Sequence, residues 1–430
     1  MEDNTKDVMA LLDTVSVKDK ATNTTVTVPV ASSKNFYIIF KYDIFFKNVR
    51  LDTMRMQACR ILENGRREYW EDSDDALARM HIEEHYGLRH ASKTNDAFLA
   101  FLSERKFSPV QELIKGIEWD GKPHCKRFFI RWLHADDTPY TQEVSRLFFK
   151  QQTDRAFEPG CQADNVLVLK GKQGCGKSTL CRWLALDDDI FASVQTIEGQ
   201  KGYEAVQGKF VCELEELLAT VGEGTRKESA VKAFISGRND HYRRPYDRRT
   251  SDNPRTCCFV GTTNRDRFLT DPTGNRRWFP IDCRLTDETF IHEHEAEIKA
   301  EIRQCYAEMY NAVINNLPLA SPVADPVLRK TIQRKQEASE MDDHRIGLIA
   351  DYLRKEHPEF VCCIEIWERA LHFNSERRPM TRTDANEVGE LLRIKLGCQP
   401  KGKKYHPPYG TQHVYSVPEN LRNPQRCRKR

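Results

Sequence analysis

The sequence contains no apolar run of the roughly 20 residues that a membrane-spanning helix needs. Residues 1–31 also lack the basic-then-apolar order of a signal peptide. Mean hydropathy is −0.67 and 30% of the residues are charged, which indicates an extensive solvated surface. We therefore expect a cytoplasmic protein without a membrane partner.

Cysteine occurs fourteen times but never as the Cys-x-x-Cys pair that zinc ribbons use. Neighbouring cysteines occur at Cys257–Cys258 and Cys362–Cys363, and most of the others lie among apolar residues, as Cys212 does. We expect small, buried, reduced side chains. Neither a disulfide framework nor a zinc site is expected.

Neither sign of charge predominates over the whole chain, because 67 Lys or Arg residues nearly balance 64 Asp or Glu residues and the formal net charge is only +3. The exception is residues 391–430, where ten Lys or Arg residues accompany one acid, Glu419, for a net charge of +9. This composition suits contact with phosphates. A frayed basic terminus has the same composition and stays open as the alternative.

The length of 430 residues accommodates two or three domains. Phe36–Phe40 has the pattern of a strand, Asp74–Tyr86 that of a helix capped by Ser73, and Ser108-Pro109 that of a helix start. Composition divides the chain into six segments. A mobile arm (1–34) precedes a mixed or helical N-terminal domain (35–154), which we expect to serve oligomerisation or DNA binding. An α/β core (155–325), a charged linker (326–342), a small C-terminal domain (343–420) and a basic tail (421–430) follow.

Short apolar runs rich in β-branched residues occur in the core at Val166–Leu169, Phe210–Cys212 and Cys258–Gly261. Runs of this kind are typical of parallel strands that are buried on both faces. Helical patterns separate them, including Thr179–Leu186, and a long helix is predicted over Asp287–Asn316. The alternation predicts an α/β fold with a doubly wound parallel sheet.

The small C-terminal domain has three helical patterns, over residues 345–355, 364–372 and 383–396. Strand, turn and strand follow over residues 401–417. This order matches a winged helix, whose helices and hairpin commonly contact nucleic acid. A lid or an oligomerisation bundle is the alternative.

A complete G-x-x-x-x-G-K-S string, the P-loop pattern, follows the first core strand. Its glycines let backbone N–H groups surround phosphates at the start of a helix. We expect Lys177 to bridge the β- and γ-phosphates of ATP and Ser178 to bind Mg²⁺. The expected nucleotide-binding residues are Gly171, Gly174, Cys175, Gly176, Lys177, Ser178 and Thr179.

Acidic residues follow the second core strand, at Glu213, Glu215 and Glu216. A P-loop ATPase needs one carboxylate near Mg²⁺ and another to polarise the attacking water. We assign Glu215, with Glu213 as the alternative, to the first role and Glu216 to the second. The assignment is uncertain by a residue or two.

Polar residues also follow the third core strand. Asn264 is placed to sense the γ-phosphate, and Arg276 and Arg277 precede Trp278. Arginine makes bidentate contacts to phosphate oxygens and stabilises charge in a transition state, often from a neighbouring subunit. Two surface ion pairs are the alternative interpretation of these arginines.

A basic segment with interleaved aromatic residues lies between the second and third core strands. This composition is typical of surfaces that contact a phosphate backbone while stacking on bases. A salt-bridged surface loop is the alternative. The candidate DNA-binding residues are Lys232, His241, Arg243, Arg244, Arg248 and Arg249.

The order of these motifs resembles the virulence-associated protein E family, whose members are similar to superfamily III helicases of the AAA+ class in phages, plasmids and genomic islands. The resemblance covers roughly Pro109 to Glu308. It rests on the Trp119-Asp120-Gly121 turn, the P-loop, the acids after the second strand, Thr262-Thr263-Asn264 and Asp271 to Arg277. It implies an ATPase that forms a ring, a hexamer, in DNA replication of a mobile element. The chain has no room for the primase module that often precedes the helicase, so a separate primase or polymerase is expected as a partner.

The leading functional hypothesis is an ATP-dependent DNA helicase or translocase that acts on single-stranded or forked DNA. One rival is a nucleotide or metabolite kinase, against which the chain length, the basic segment and the paired arginines argue. The other rival is a regulatory or interference protein that binds ATP and docks on replication machinery without turnover.

Overall fold

The computed structural model describes residues 4–18, 24–197, 199–215, 217, 225–242, 251–269, 275–317, 325–339 and 344–422. As far as these ranges reach, the chain forms two compact units, one over residues 1–266 and 274–336 and the other over residues 267–273 and 337–430. Among the described residues, no helix is both long and apolar enough to cross a bilayer.

Over its described residues, the N-terminal part of the first unit contains two small sheets and seven helices. Its helices are α1 (Thr5–Met9), α2 (Ser33–Tyr42), α3 (Asp72–Tyr86), α4 (Ala91–Glu104), α5 (Pro109–Lys115), α6 (Phe128–Leu133) and α7 (Pro139–Phe157), with 3-10 turns at Ile44–Phe46 and Cys125–Arg127. Its strands are β1 (Thr14–Lys18), β2 (Thr25–Pro29), β3 (Val49–Asp52), β4 (Gln57–Ile61), β5 (Arg67–Tyr69) and β6 (Lys106–Phe107). The antiparallel pair β1–β2 is separate from a four-stranded sheet of order β5-β4-β3-β6.

The strand predicted at Phe36–Phe40 is wrong, because these residues lie within helix α2. The buried apolar residues are Phe36, Ile39 and Phe40, whose spacing is that of one helix face. The hydroxyl of Ser32 caps the helix by accepting from the N–H of Asn35 at 3.2 Å. Capping and one-sided burial outweigh the strand preference of the apolar run.

Residues 4–18 and 24–34, assigned to an arm, form α1, β1 and β2, and Val8 and Leu12 are buried in the core around α2. The buried amide of Asn35 fastens this segment by donating to the carbonyls of Asp13 (2.8 Å) and Val30 (2.9 Å). The boundary expected at residue 154 falls inside α7, whose aromatic side chains belong to the same apolar core as the first strand of the central sheet.

A parallel sheet forms the centre of the first unit, as predicted, and its described strands number five, two more than the sequence indicated. Its strands are β7 (Val166–Lys170), β8 (Phe191–Val194), β9 (Val211–Leu214), β12 (Cys258–Thr263) and β13 (Trp278–Asp282), in the order β13-β7-β12-β9-β8. The other elements of this part are α8 (Lys177–Trp183), a 3-10 turn (Asp188–Ile190), α9 (Gly199–Val206), α10 (Thr225–Ile235), the antiparallel pair β10 (Asn239–Tyr242) and β11 (Ser251–Pro254), a 3-10 turn (Asn275–Arg277), α11 (Phe290–Glu293) and α12 (Glu295–Ile314). The helix expected over Asp287–Asn316 is therefore interrupted between α11 and α12.

Residues 326–338, expected as part of a linker, form helix α13 (Pro326–Ala338). Its buried residues Ile332 and Gln336 are four positions apart, and the side-chain amide of Gln336 donates to the carbonyl of Trp278 at 2.9 Å. This one-sided burial explains a helix in a segment whose composition is mostly charged.

Within its described residues, the second unit follows the predicted order of elements and adds a strand after the first helix and a short helix after the last strand. Its elements are α14 (His344–Glu356), β14 (Phe360–Cys362), α15 (Cys363–Glu365) with a π turn (Ile366–Ala370), α16 (Arg382–Glu390) with a π turn (Leu391–Lys395), β15 (Gln399–Tyr405), β16 (Thr411–Ser416) and α17 (Glu419–Arg422). The strands form an antiparallel sheet of order β14-β16-β15. Trp367, Leu392 and Val361 are among the buried residues of its core.

Candidate functional site

The glycine loop, residues Gly171–Ser178, joins β7 to α8 at the carboxyl edge of the parallel sheet. The N–H of Gly171 donates to the carbonyl of Thr263 at 3.1 Å, which fastens the start of the loop to the end of β12. Gly174 and Gly176 have φ values of +83° and +80°. A Cβ at Gly176 would lie 2.7 Å from Cγ1 of Ile291, so both backbone conformation and space require glycine there.

The ammonium group of Lys177 lies across the glycine loop. Its Nζ donates to the carbonyls of Gly171 at 2.9 Å and Lys172 at 2.6 Å, and the residue is only 9% exposed. Cys175 is buried beside it, with its Sγ 3.5 Å from Nζ. The positively charged ammonium group of Lys177 therefore lies at the centre of the loop.

Two hydroxyl groups converge on the carboxylate of Glu213, near the end of β9. Oε1 accepts from Ser178 Oγ at 2.6 Å and from Thr262 Oγ1 at 2.8 Å. Burial raises the pKa of Glu213, and these two hydrogen bonds act in the opposite direction. Glu213 is 1% exposed, so the site contains a buried carboxylate that direct contacts tie to the glycine loop.

Of the two acids assigned from the sequence, the structure describes only one. Glu215 is half-buried just after β9, and its negative charge contributes to the raised pKa of Glu213. Glu216 lies outside the described residues. Glu213, the alternative to Glu215 for the role near Mg²⁺, is the acid that accepts a hydrogen bond from Ser178.

A cavity of about 280 Å³ lies over the glycine loop. Its lining contains five of the seven nucleotide-binding residues assigned from the sequence, and also Asn264, just after β12. It adds Thr262 and a side chain that the sequence did not indicate, His292 on α11. The rings of His292 and Trp183 meet edge to face, with centroids 6.2 Å apart. The full lining is Gln173, Gly174, Gly176, Lys177, Ser178, Thr179, Thr262, Thr263, Asn264 and His292.

The paired arginines differ in their surroundings. Arg276 is exposed, whereas Arg277 is half-buried. Nε of Arg277 donates to Ser236 Oγ at 2.9 Å and lies 3.6 Å from a carboxylate oxygen of Asp164. Local contacts therefore hold Arg277, while Arg276 faces solvent.

The candidate DNA-binding residues are only partly described. Lys232 is 8% exposed on α10, unlike the solvent-facing position that a DNA contact requires. His241 belongs to β10, but its side chain and the whole of Arg243, Arg244, Arg248 and Arg249 lie outside the described residues.

The connection that carries these four arginines, residues 243–250, joins β10 to β11. Beneath the paired strands, the guanidinium of Arg255 forms a buried ion pair with Asp240 and donates to the carbonyl of Phe234. Arg255 is 3% and Asp240 5% exposed. The strand pair that carries the basic connection is therefore anchored by the buried ion pair of Arg255 and Asp240.

These features define a mixed α/β protein with a glycine loop at the carboxyl edge of a five-stranded parallel sheet. The virulence-associated protein E-like domain model matches residues 114–339, and the chain belongs to this family. No curated protein matches the chain.

Two solved structures of the C-terminal region of NrS-1 are similar to the chain. One has 12% sequence identity and a TM-score of 0.48, and the match covers 89% of this chain and 99% of that one. The other has 14% identity and a TM-score of 0.45, with coverage of 85% and 86%.

Proposed function

We propose that this chain is a P-loop ATPase of the AAA+ helicase type that works on DNA as a ring. The observation that carries the proposal is the convergence of Ser178 and Thr262 on the buried carboxylate of Glu213, beside the ammonium of Lys177. A cation-binding acid, a hydroxyl and a lysine around one glycine loop are the groups that phosphoryl transfer from a nucleoside triphosphate requires.

The donor set fits Mg²⁺, which prefers hard oxygen ligands. Ser178 and Glu213 are the side chains that would hold it, with Thr262 bonded to the same carboxylate oxygen. Bound there, the cation would neutralise negative charge on the phosphates. We therefore assign the metal-binding role to Glu213 and keep Glu215 and Glu216 as candidates to polarise the attacking water.

The remaining side chains have complementary roles. Lys177 exchanges its loop carbonyls for phosphate oxygens, and Asn264 contacts the γ-phosphate from the end of β12. Arg276, the exposed member of the arginine pair, completes the site of a neighbouring subunit. His292 lines the cavity and packs edge to face against Trp183, and we assign it to contact the nucleoside part of ATP.

DNA is the proposed substrate of the motor because four arginines lie in one connection of a β-hairpin, residues 243–250. Four positive charges within eight residues suit contact with a phosphate backbone. The second unit, with its winged-helix order of elements, adds a basic hairpin. Family membership supports work in replication of a phage or another mobile element, as a hexamer and with a separate primase or polymerase.

Phosphate release by the full chain tests the proposal. Lys177→Ala should lower ATP turnover by roughly 100-fold or more, because the loop loses the cation that stabilises charge on the transferred group. Lys172→Ala is the matched control, since Lys172 is an exposed lysine of the same loop, and it should retain turnover. Equal activity of Lys177→Ala and wild type, both correctly folded, would overturn the assignment.

A further inference from the structure

Three side chains of metal-binding types meet in the second unit. They are Cys362, at the end of β14, Glu365, in α15, and His406, in the turn after β15. One ligand atom of each lies within 4.8 Å of the other two. Cys362 and Glu365 are buried and His406 is half-buried, so the cluster is largely shielded from water.

The sulfur of Cys362 is held at the start of α15. The backbone N–H groups of Glu365 and Ile364 donate to the sulfur. These two donors fix where the sulfur lies, and a thiolate bound to a cation keeps both hydrogen bonds.

The carboxylate of Glu365 is oriented from both sides. Its Oε1 accepts from the hydroxyl of Tyr352 at 2.7 Å, and its Oε2 lies 2.6 Å from Nε2 of His406. The hydrogen bond from Tyr352 to Oε1 leaves Oε2 directed at the imidazole of His406. Hydrogen bonds of this kind orient the carboxylate ligands of metal sites.

We propose that Cys362, Glu365 and His406 bind Zn²⁺. Sulfur, nitrogen and oxygen donors together favour this borderline-soft cation over Mg²⁺ or Ca²⁺. Binding replaces the proton of the Cys362 thiol, which leaves to solvent, and His406 binds through Nε2 with its proton on Nδ1. Three protein ligands leave one position of a tetrahedral ion for water.

The required movement is small. Zinc–ligand distances of about 2.0–2.3 Å place neighbouring ligand atoms about 3–4 Å apart. Atoms that already lie within 4.8 Å of one another therefore need shifts on the order of an ångström, and Oε2 and Nε2 move apart slightly. His406 begins the turn His406–Gly410 between β15 and β16, where its N–H donates to the carbonyl of Gly410 at 2.7 Å. The bound ion would fasten this turn to the start of α15.

The consequence is a fixed orientation for the basic hairpin β15–β16, which carries Lys401, Lys403 and Lys404 on an exposed strand. The site does not depend on ATP turnover. Loss of metal binding and loss of ATPase activity are therefore separate outcomes.

Cobalt binding to the full-length chain, purified with a chelator, tests the site. One equivalent of Co²⁺ should produce a sulfur-to-cobalt charge-transfer band and the visible bands of a tetrahedral ion, and Zn²⁺ should displace both. Cys362→Ser should abolish the charge-transfer band. Cys363→Ser is the matched control, because the neighbouring sulfur bonds instead to Tyr415, and this variant should keep the band.

His406→Ala provides a second measurement that does not alter the buried strand. Its affinity for Zn²⁺, determined by competition with a chromophoric chelator, should fall at least tenfold. Absence of the band in the wild type overturns the proposal. So does a band that survives Cys362→Ser, or an unchanged Zn²⁺ affinity in His406→Ala.

Discussion

At the scale of single residues, the chemistry depends on which acid faces Ser178. Side chains alternate along a strand, so Val211 and Glu213 share one side of β9 and Cys212 and Leu214 the other. Glu213 thereby reaches both Ser178 and Thr262. A buried carboxylate in this position concentrates negative charge where a divalent cation is needed.

Glu213→Gln should raise the Mg²⁺ concentration required for ATP turnover at least tenfold. The amide oxygen still accepts hydrogen bonds from Ser178 and Thr262, so the fold is retained while the negative charge is lost. Glu215→Gln is the comparison, because it removes an equal charge from the residue two positions further along. If a magnesium titration shows the larger rise in the required Mg²⁺ concentration for Glu215→Gln, the metal-binding role returns to Glu215.

At the scale of elements, the turn into α8 depends on contact between the glycine loop and α11. Gly176→Ala should lower the free energy of unfolding for two reasons. The positive φ at this position should cost an alanine about 1–2 kcal/mol. Steric overlap of the new Cβ with Ile291 should cost about 1–3 kcal/mol more. Gly121→Ala is the matched control, because Gly121 has the same φ of +80° but open space at its Cβ.

Thermal or chemical unfolding of the two glycine variants separates the contributions of backbone and packing. Gly121→Ala should show the backbone contribution alone. Equal losses in both variants would mean that the approach of Ile291 to the loop does not restrict residue 176. A larger loss at Gly176, accompanied by weaker nucleotide binding, would agree with the contact between α11 and the loop.

Much of the core was predictable because its strands are short apolar runs bounded by polar segments, as in Val166–Leu169. The helix over Phe36–Phe40 was not predictable from composition, since an apolar aromatic run has the same appearance in a strand. Helix α13 was missed for the opposite reason. Its charged residues outnumber the buried pair Ile332 and Gln336, whose role depends on tertiary contact.

The candidate site was predicted where its residues are close in sequence, as in Gly171–Ser178. The choice between Glu213 and Glu215 needed the end of β9 to within one residue, which a sequence pattern does not provide. His292 and the cluster of Cys362 with His406 depend on contacts between distant segments. The Cys-x-x-Cys pattern does not predict that cluster, because the residue three positions after Cys362 is Glu365.

At the scale of the whole molecule, a ring would make the exposed Arg276 part of a neighbour's site. We predict that Lys177→Ala and Arg276→Ala chains, each inactive alone, regain ATPase activity when mixed. Some interfaces then combine an intact loop with an intact arginine. Arg277→Ala should not show this rescue, because Arg277 is held within its own chain by Ser236 and Asp164.

Subunit exchange must be demonstrated in the same mixtures, for example by native mass measurement of labelled chains. Exchange without recovered activity would mean that Arg276 acts within its own subunit. Recovery with Arg277→Ala instead would assign the role in the neighbouring site to Arg277.

The most direct test of the central claim is phosphate release by the full chain with Mg²⁺ and ATP, with and without single-stranded DNA. DNA should stimulate turnover, and the stimulation should fall steeply with salt because phosphate contacts dominate binding. Arg243→Ala combined with Arg244→Ala should remove the stimulation and leave basal turnover intact. Absence of magnesium-dependent turnover both with and without DNA would contradict the account of a DNA-directed ATPase.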